Sequence, residues 1–370
     1  MKIAIVNRHV DDVLGGSEMQ CDNIGRGLSA KGHEVIYIAP AGKREKDYSR
    51  PYQIVAVDSN AKAITEAVIN ANPDIVYWRF NKYFLYNSAK AIASNNIPIV
   101  FSISHISDTQ RWNYLVNPFK SPLHFIKAIK QSLENAFNYR GYKYISGVAS
   151  LNTQFLNLLP IEKQRYLPNS VDTTSKPFTW PRPYVVWVSN LKPQKQPELY
   201  IKIAKEFAAS GVDFLMVGKV LSEDYEWVKT EHERLPHFHF LGPKTPAEVN
   251  GILENCLLNI HTCKPEGFGN IFIQAWLKHK PTVSFAFDPG GFISANNLGG
   301  FADGDYELFK SQIARLIEDP EHRAATGEVA YKFGRDNFSI EKTVNEIEIF
   351  LAEILEDTKK GFDKELVSQS

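Results

Sequence analysis

The chain is 370 residues long, 44% hydrophobic and 12% aromatic, enough to bury a full core and, at this length, to build two domains. Forty-two basic residues balance 42 acidic ones, and a formal charge of zero argues against a dedicated nucleic-acid binder. Cys21, Cys256 and Cys263 form no CxxC and cannot all pair with one another, a pattern that fits a reducing compartment.

Taken in chain order, Met-Lys-Ile-Ala-Ile-Val enters a strand at once, with no apolar run of signal-peptide length. No later run approaches about 18 uncharged apolar residues, so the expected location is the cytoplasm. Strands are expected at 3–6, 34–39, 74–78, 97–103 and 144–148, and helices at 17–31, 61–71 and 83–94, the first closed by Gly32 as a C-cap. This alternation implies a parallel sheet covered on both faces. Residues 173–183, Thr-Thr-Ser-Lys-Pro-Phe-Thr-Trp-Pro-Arg-Pro, are too proline-dense for a regular element and read as a linker. The alternation then restarts, with strands at 184–188, 213–217, 238–241, 257–262 and 282–285. Helices are expected near 197–209, 224–234, 246–255 and 270–279.

The expected architecture is α/β, with one domain over 1–175, a second over 184–339 and a cleft between them as the default ligand site. A final helix over 340–357 carries an apolar stripe of Val344, Ile347, Phe350, Leu351, Ile354 and Leu355. It is expected to cross back toward the N-terminal domain, although the stripe alone does not say which domain it packs on, and the tail from Thr358 reads as frayed.

Four segments carry chemistry. In 7–17, Gly15 and Gly16 precede a helix, so the backbone can approach a ligand phosphate that the helix dipole favours. This is neither a GxGxxG fingerprint nor a P-loop, and a plain Gly-Gly turn is the competing reading. His105 follows the strand 97–103 at a carboxyl edge of the sheet, where it can bond a sugar hydroxyl or orient a reacting group. Arg79, after the strand 74–78, is a candidate for contacting a hydroxylated or anionic acceptor. Both also read as ordinary surface residues.

In 188–198, Asn190, Lys192 and Lys195 lie between a strand and a helix. A lysine there neutralises charge on a departing diphosphate, and Lys195, nearer the helix, is preferred. In 264–274, Glu266 stands at a glycine-bearing turn before a helix. Amides around Phe268, Gly269, Asn270 and Ile271 are placed to hold a diphosphate, Glu266 to accept bonds from sugar hydroxyls, and Gln274 to bond a ribose. A carboxylate beside a phosphate nest suits a nucleotide sugar better than a simple anion. The plain alternative is a carboxylate at a helix N-terminus, worth about 0.3–1 kcal/mol.

These pieces resemble family 4 of the retaining glycosyltransferases of GT-B fold, which has two facing Rossmann-like domains. Gly15-Gly16-Ser17-Glu18 and Gly32-His33-Glu34-Val35 resemble its N-terminal loop and the end of its first helix. Leu167-Pro168-Asn169-Ser170-Val171-Asp172 resembles its PNGVD segment, and Leu241-Gly242-Pro243 the loop beside the nucleotide base. Pro265-Glu266-Gly267-Phe268-Gly269 followed by Gln274 resembles its E-x7-E motif. Two positions depart from the pattern: Gln274 replaces the second glutamate, and Asn190 replaces the arginine of a GRL…K segment. Asn190 keeps a neutral hydrogen bond but loses the charge-assisted part.

The resemblance implies transfer of a sugar from a nucleoside-diphosphate donor, UDP being favoured over GDP, with retention at the anomeric carbon. The acceptor would be a glycan or a lipid-linked sugar in cell-envelope or polysaccharide synthesis. No pair of carboxylates is placed for hydrolysis, and no cofactor is expected beyond the substrate nucleotide. His105 and Glu266 would come from opposite domains and meet on closure. A nucleotide-sugar epimerase, or a catalytically weak nucleotide-sugar-binding protein, is the alternative.

No metal is expected, since Asp303-Gly-Asp305 is explained by N-capping and His237 and His239 have no third ligand at the right spacing. Residues 111–145 combine six cations with one acid, Glu134, and eight aromatic rings. They suit peripheral contact with an anionic leaflet, a groove for an acidic glycan, or a helix with a solvated face.

Overall fold

The computed structural model describes residues 1–13, 15–43, 49–114, 116–264 and 268–368, with side chains through 360. The chain divides into two units: unit 1 is Met1–Ser170 with Ile340–Ser370, and unit 2 is Val171–Ser339.

Unit 1 contains strands β1 (Lys2–Val6), β2 (Glu34–Pro40), β3 (Gln53–Val57), β4 (Ile75–Trp78), β5 (Ile99–Ile103), β6 (Gly147–Ser150) and β7 (Gln164–Tyr166). Its first helices are α1 (Gly16–Ala30), α2 (Ala61–Ala71), α3 (Leu85–Ala93), α4 (Ile106–Thr109) and α5 (Pro122–Tyr139). Unit 2 contains β8 (Tyr184–Val188), β9 (Asp213–Val217), β10 (Phe238–Gly242), β11 (Asn259–His261), β12 (Thr282–Ser284) and β13 (Gly299–Phe301). Its helices are α6 (Pro197–Glu206), α7 (Pro246–Asn255), α8 (Asn270–Trp276), α9 (Phe292–Asn296), α10 (Tyr306–Glu318) and α11 (Pro320–Phe338). The chain then returns to unit 1 as α12 (Ile340–Ser368).

Both sheets are parallel, in the orders β3-β2-β1-β4-β5-β6-β7 and β10-β9-β8-β11-β12-β13. Parallel strands are buried on both faces, which is why β1 and β2 read as near-continuous apolar runs. Ala4, Val6, Ile36 and Ile38 turn to one face, under α2 and α3, and Ile3, Ile5, Val35 and Tyr37 to the other, under α1 and α12. The stripe Val344, Ile347, Phe350, Leu351 and Ile354 completes that second layer. Gly27 and Gly147 are small where α12 passes, since a Cβ on Gly27 would lie 2.3 Å from Val344 Cγ2.

α1 ends as its sequence demands. Gly32 takes φ 85°, and the His33 N–H donates to the Leu28 carbonyl at 3.1 Å, the bond of a Schellman cap. α7 begins on a capping box, Thr245 with Glu248, and a proline in its first turn.

Several expected elements differ. β3, β7 and β13 are strands that the sequence reading lacks. The strand expected at 144–148 lies at Gly147–Ser150, because Arg140–Tyr144 forms a 3-10 turn. Its aromatics favour a strand by propensity, but Tyr142 donates to the buried Asp108 carbonyl at 2.7 Å and packs edge-on to Phe101. The helix expected at 224–234 is a 3-10 run, Glu223–Glu233, and α12 continues past Thr358 instead of fraying.

The division between units falls after Ser170. The proline-dense stretch is fastened to unit 2: Asn250 Nδ2 donates to the Asp172 and Thr174 carbonyls at 2.8 and 2.9 Å. Trp180 Nε1 donates to Asp213 at 2.9 Å.

Candidate functional site

In an open parallel sheet, ligands settle at the carboxyl edge where the strand order reverses, because the two neighbouring loops turn opposite ways and leave a crevice. In unit 1 the reversal lies between β1 and β4. The loop after β1 leads through Gly15, the extended N-cap of α1 (φ −144°, ψ 164°), to Gly16, the first helical residue. A Cβ on Gly15 would lie 2.3 Å from Glu18 Oε2, so glycine leaves room for that carboxylate over the first turn. Leu14 lies outside the described residues.

A cavity of about 300 Å³ occupies this crevice, lined by Asn7, Arg8, Ser17, Glu18, Arg79–Tyr83, Ser102, Ser104, His105, Ser107 and Asp108 among others. Arg79 is almost fully buried, donates through Nη2 to Asn169 Oδ1 at 3.0 Å, and has no partner for Nε. His105 is exposed at the cavity wall and caps α4. Its Nδ1 accepts from the Ser107 N–H at 3.1 Å. A backbone N–H can only donate, so in the neutral ring the proton sits on Nε2. Asp108 closes the same capping box, accepting from the Ser104 and His105 amides at 3.0 Å.

Lys82 and Asp108 are cavity residues that sequence reasoning missed. Burial lowers the Lys82 ammonium to about 8, with Asp108 opposing the fall. Burial raises Asp108 above the ordinary carboxylate range, against the pull of the two amides and Lys82. Lys82 Nζ donates to the Ser107 and Gln110 carbonyls at 2.7 and 2.6 Å, so it braces the loop that carries His105. The available signal was position: Lys82 follows the same strand end as Arg79.

In unit 2 the reversal lies between β8 and β11, and the loops after these strands are 189–195 and 262–269. They are tied together. Thr262 Oγ1 donates to the Lys195 carbonyl at 2.7 Å, and the Lys264 N–H to the Gln194 carbonyl at 3.0 Å. Trp187 Nε1 fixes Thr262 Oγ1 from below at 2.8 Å. Lys195 ends a 3-10 turn, and Gln196 at φ 47° turns the chain into α6.

Asn190 is exposed, and its Oδ1 accepts from the Lys219 N–H at 3.2 Å. Gly218 allows this: a Cβ there would lie 1.7 Å from the Ser189 carbonyl oxygen. Leu241 is the penultimate residue of β10, beside Gly242, whose carbonyl accepts from the Gly218 N–H at 3.0 Å.

Gly269, at φ 82°, delivers the chain into α8, which begins at Asn270 and Ile271. Phe268 is buried against Phe338, ring centres 5.3 Å apart. The helix is shorter than the expected 270–279, because His279 at φ 56° closes a turn with the Lys280 N–H on the Ala275 carbonyl. Gln274 Nε2 donates to Asn250 Oδ1 at 2.9 Å. Glu266 lies outside the described residues, with Pro265 and Gly267. Asn190, Lys195, Leu241, Phe268, Gly269, Asn270, Ile271 and Gln274 thus lie on unit 2, and Gly15, Gly16, Arg79 and His105 on unit 1.

Asp305 accepts from the Leu308 N–H at 3.0 Å as the N-cap of α10, and His237 Nε2 bonds the Ala204 carbonyl at 2.7 Å. Among the described residues, no group of three His, Cys, Asp or Glu side chains is placed to hold a metal. Nor is any helix long and apolar enough to cross a membrane.

Comparison with known proteins places this geometry. Residues 14–175 match the family described as Glycosyltransferase Family 4, and residues 172–333 match Glycosyl transferases group 1. An uncharacterised glycosyltransferase of Methanocaldococcus jannaschii is 26% identical over 165 residues. That stretch is 43% of this chain and 45% of the relative, so the match spans under half of the relative's length.

Among solved structures, a Rickettsia africae glycosyltransferase superposes with a TM-score of 0.73 at 17% identity, over 95% of this chain and 98% of that one. Anabaena HepE, solved in complex with UDP and glucose, gives 0.67 at 19% identity, over 95% of this chain and 100% of that one. A sucrose-phosphate synthase of Thermosynechococcus elongatus gives 0.72 at 13%, over 96% and 99%. At such identities these likenesses speak for the fold. With the two family matches running in tandem through both units, the chain belongs to the family 4 glycosyltransferases of GT-B fold.

Proposed function

We propose that the protein transfers a sugar, with retention, from a UDP-linked donor to a glycan or a lipid-linked acceptor in cell-envelope or polysaccharide synthesis. The observation that carries this is the tie between the loops 189–195 and 262–269 at the reversal point of the unit 2 sheet. It sets a lysine loop beside the glycine turn that opens α8. In this reading, amides near Phe268, Gly269, Asn270 and Ile271 receive the diphosphate and Lys195 offsets the charge that grows as it leaves. Asn190 adds a neutral donor, and Leu241 borders the base. Gln274, with its Nε2 engaged by Asn250, presents its carbonyl oxygen to a ribose hydroxyl. Glu266 accepts bonds from the donor sugar.

The unit 1 cavity, with Gly15, Gly16, Arg79 and His105, receives the acceptor. His105 Nε2–H donates to a sugar hydroxyl rather than removing a proton from it. The acceptor oxygen attacks from the face the diphosphate leaves, and a diphosphate oxygen takes the acceptor proton. Domain 1–175 is thus the acceptor domain and 184–339 the donor domain, working at the cytoplasmic side of a membrane that 111–145 can meet. This enzyme needs no metal.

The test is incubation of the purified chain with labelled UDP-glucose and related UDP-sugars. Label should appear in free sugar and, with acceptor present, in glycoside of retained configuration. An isomerised nucleotide sugar formed from donor alone would make the protein an epimerase. Donor binding with neither hydrolysis nor transfer would make it a binding protein.

A further inference from the structure

The segment that opens unit 2 is laid along α7 as a strap. The Lys176 N–H donates to the Ala247 carbonyl at 2.8 Å, and Asn255 Nδ2 to the Phe178 carbonyl at 2.9 Å. The strap passes so close to Gly251 that a Cβ there would lie 1.8 Å from the Lys176 carbonyl oxygen. Two rows of side chains meet beside it, each spaced by four residues and so on one helix face. Asn250 and Glu254 come from α7, Gln274 from α8 and Lys278 from just beyond its end. In the outer row, Lys278 Nζ donates to Glu254 at 2.6 Å, to the Thr173 carbonyl at 2.9 Å and to Ser175 Oγ at 2.7 Å.

The inner row bears on the donor. Asn250 is 1% exposed, and its Nδ2 donates to the Asp172 and Thr174 carbonyls at 2.8 and 2.9 Å. Carbonyls only accept, so these two neighbours settle which atom of the carboxamide is nitrogen, and both its hydrogens are spent on them. Oδ1 is left facing α8 as a pure acceptor. Gln274 meets it with Nε2 at 2.9 Å, and among the described residues Oε1 of Gln274 has no partner.

An ionised glutamate at 274 has no hydrogen to give to Asn250. It would set an anionic oxygen against Oδ1, and turning Asn250 over would instead set Oδ1 against the two strap carbonyls. Either arrangement leaves acceptors facing each other without a proton, the costly case for a buried polar group. Glutamine is therefore what this neighbour demands at 274, and it still offers an accepting oxygen.

We propose that Asn250 is a positioning residue of the donor site: fastened to the strap, it fixes the Gln274 carboxamide with Oε1 toward the ribose hydroxyls and makes glutamine, not glutamate, the working residue there. This rests on the nucleotide-sugar reading above and deepens it, because restoring the glutamate of the E-x7-E pattern should then weaken the site.

The experiment is calorimetric titration of the full chain with UDP and with 2′,3′-dideoxy-UDP, which lacks the ribose hydroxyls. The parent chain should prefer UDP by about tenfold, the worth of one good hydrogen bond. Gln274→Glu should bind UDP about tenfold more weakly than the parent at neutral pH. In an Asn250→Ala chain the same substitution should cost little, since the opposing oxygen is gone. Asn250→Ala alone should lose most of the preference for UDP over the dideoxy form, because Gln274 is then free to turn. Circular dichroism reports whether each variant folds. The pH profile of Gln274→Glu gives a second reading that needs no change at 250: its affinity should climb toward the parent's as pH falls and the carboxyl gains a proton. Glu254, held below the ordinary value by its Lys278 hydrogen bond, stays charged meanwhile.

Gln274→Glu that binds UDP as tightly as the parent overturns the positioning role. So does an equal loss in both backgrounds, a loss that no fall in pH relieves, or a folded Asn250→Ala chain that keeps the full preference for UDP. A parent chain that binds UDP and its dideoxy form alike overturns the part given to Gln274 and leaves the donor reading standing. A folded parent chain with no affinity for UDP refutes the donor reading itself.

Discussion

Thr262 and Lys264 hold the loop of Lys195 through main-chain atoms, the Lys195 and Gln194 carbonyls, so changing the Lys195 side chain leaves the loop's anchoring bonds in place. Lys195→Ala should lower turnover of a UDP-sugar at least tenfold, about 1.4 kcal/mol of transition-state stabilisation. Steady-state kcat of the variant checks this, and an unchanged rate would move the role to Lys192 or Lys264. The place of this lysine, between a strand end and a helix start, was legible. Lys82 and Asp108 were not, since their importance comes from burial and from bonds to the Ser107 and Gln110 carbonyls and the His105 amide. Nothing in Arg-Phe-Asn-Lys or Ser-His-Ile-Ser-Asp announces that the lysine and the acid turn inward. His105 shows the other side of this: its place after β5 was readable, its Nδ1 bond to the Ser107 amide was not.

Interior strands were easier to read than edges. β3, β7 and β13, absent from the sequence reading, are all edge strands. An edge strand pairs on one side only and needs fewer apolar residues, so Gln-Arg-Tyr and Gly-Gly-Phe carry little pattern. The apolar stripe of α12 was plain at 3.6-residue spacing, but its destination depends on Gly27 and Gly147 leaving room and on ion pairs far apart in sequence. One of these pairs gives a pH test. Glu348 meets Lys31 and, at 2.7 Å, His33 Nε2. The Lys31 hydrogen bond first, and His33 second, hold its carboxyl below the ordinary value of 4.5. A depressed carboxylate contributes stability above the unfolded value and loses it as pH falls through the folded one. Glu348→Gln should thus melt below the parent chain at pH 7 and converge with it well under pH 4.5. Thermal melts across that range decide it, and a gap that persists at low pH would mean that lost packing, not charge, sets the difference.

At the scale of the molecule, the two units differ in how the chain builds them. Unit 2 is continuous, whereas unit 1 depends on α12, reached only after unit 2 is complete. Burying Val344, Ile347, Phe350, Leu351 and Ile354 is worth on the order of 10 kcal/mol, comparable with the whole stability of a domain at about 5–15 kcal/mol. A chain ending at Ser339 should therefore fail to fold unit 1. Residues 171–339 expressed alone keep both tied loops, with Lys195, Gly269 and Gln274, and should still bind the donor nucleotide. The measurement is a thermal-shift series with UDP, GDP and ADP on the full chain and on this fragment, with EDTA throughout. UDP at 100 times its Kd should stabilise each by about 2.7 kcal/mol, and EDTA should not remove the effect if, as proposed, Lys195 and the amides before α8 take the place of a cation. A shift in the full chain that is absent from a folded fragment would show that the nucleotide needs unit 1. A shift that appears only with a divalent ion would remove Lys195 from its assigned role.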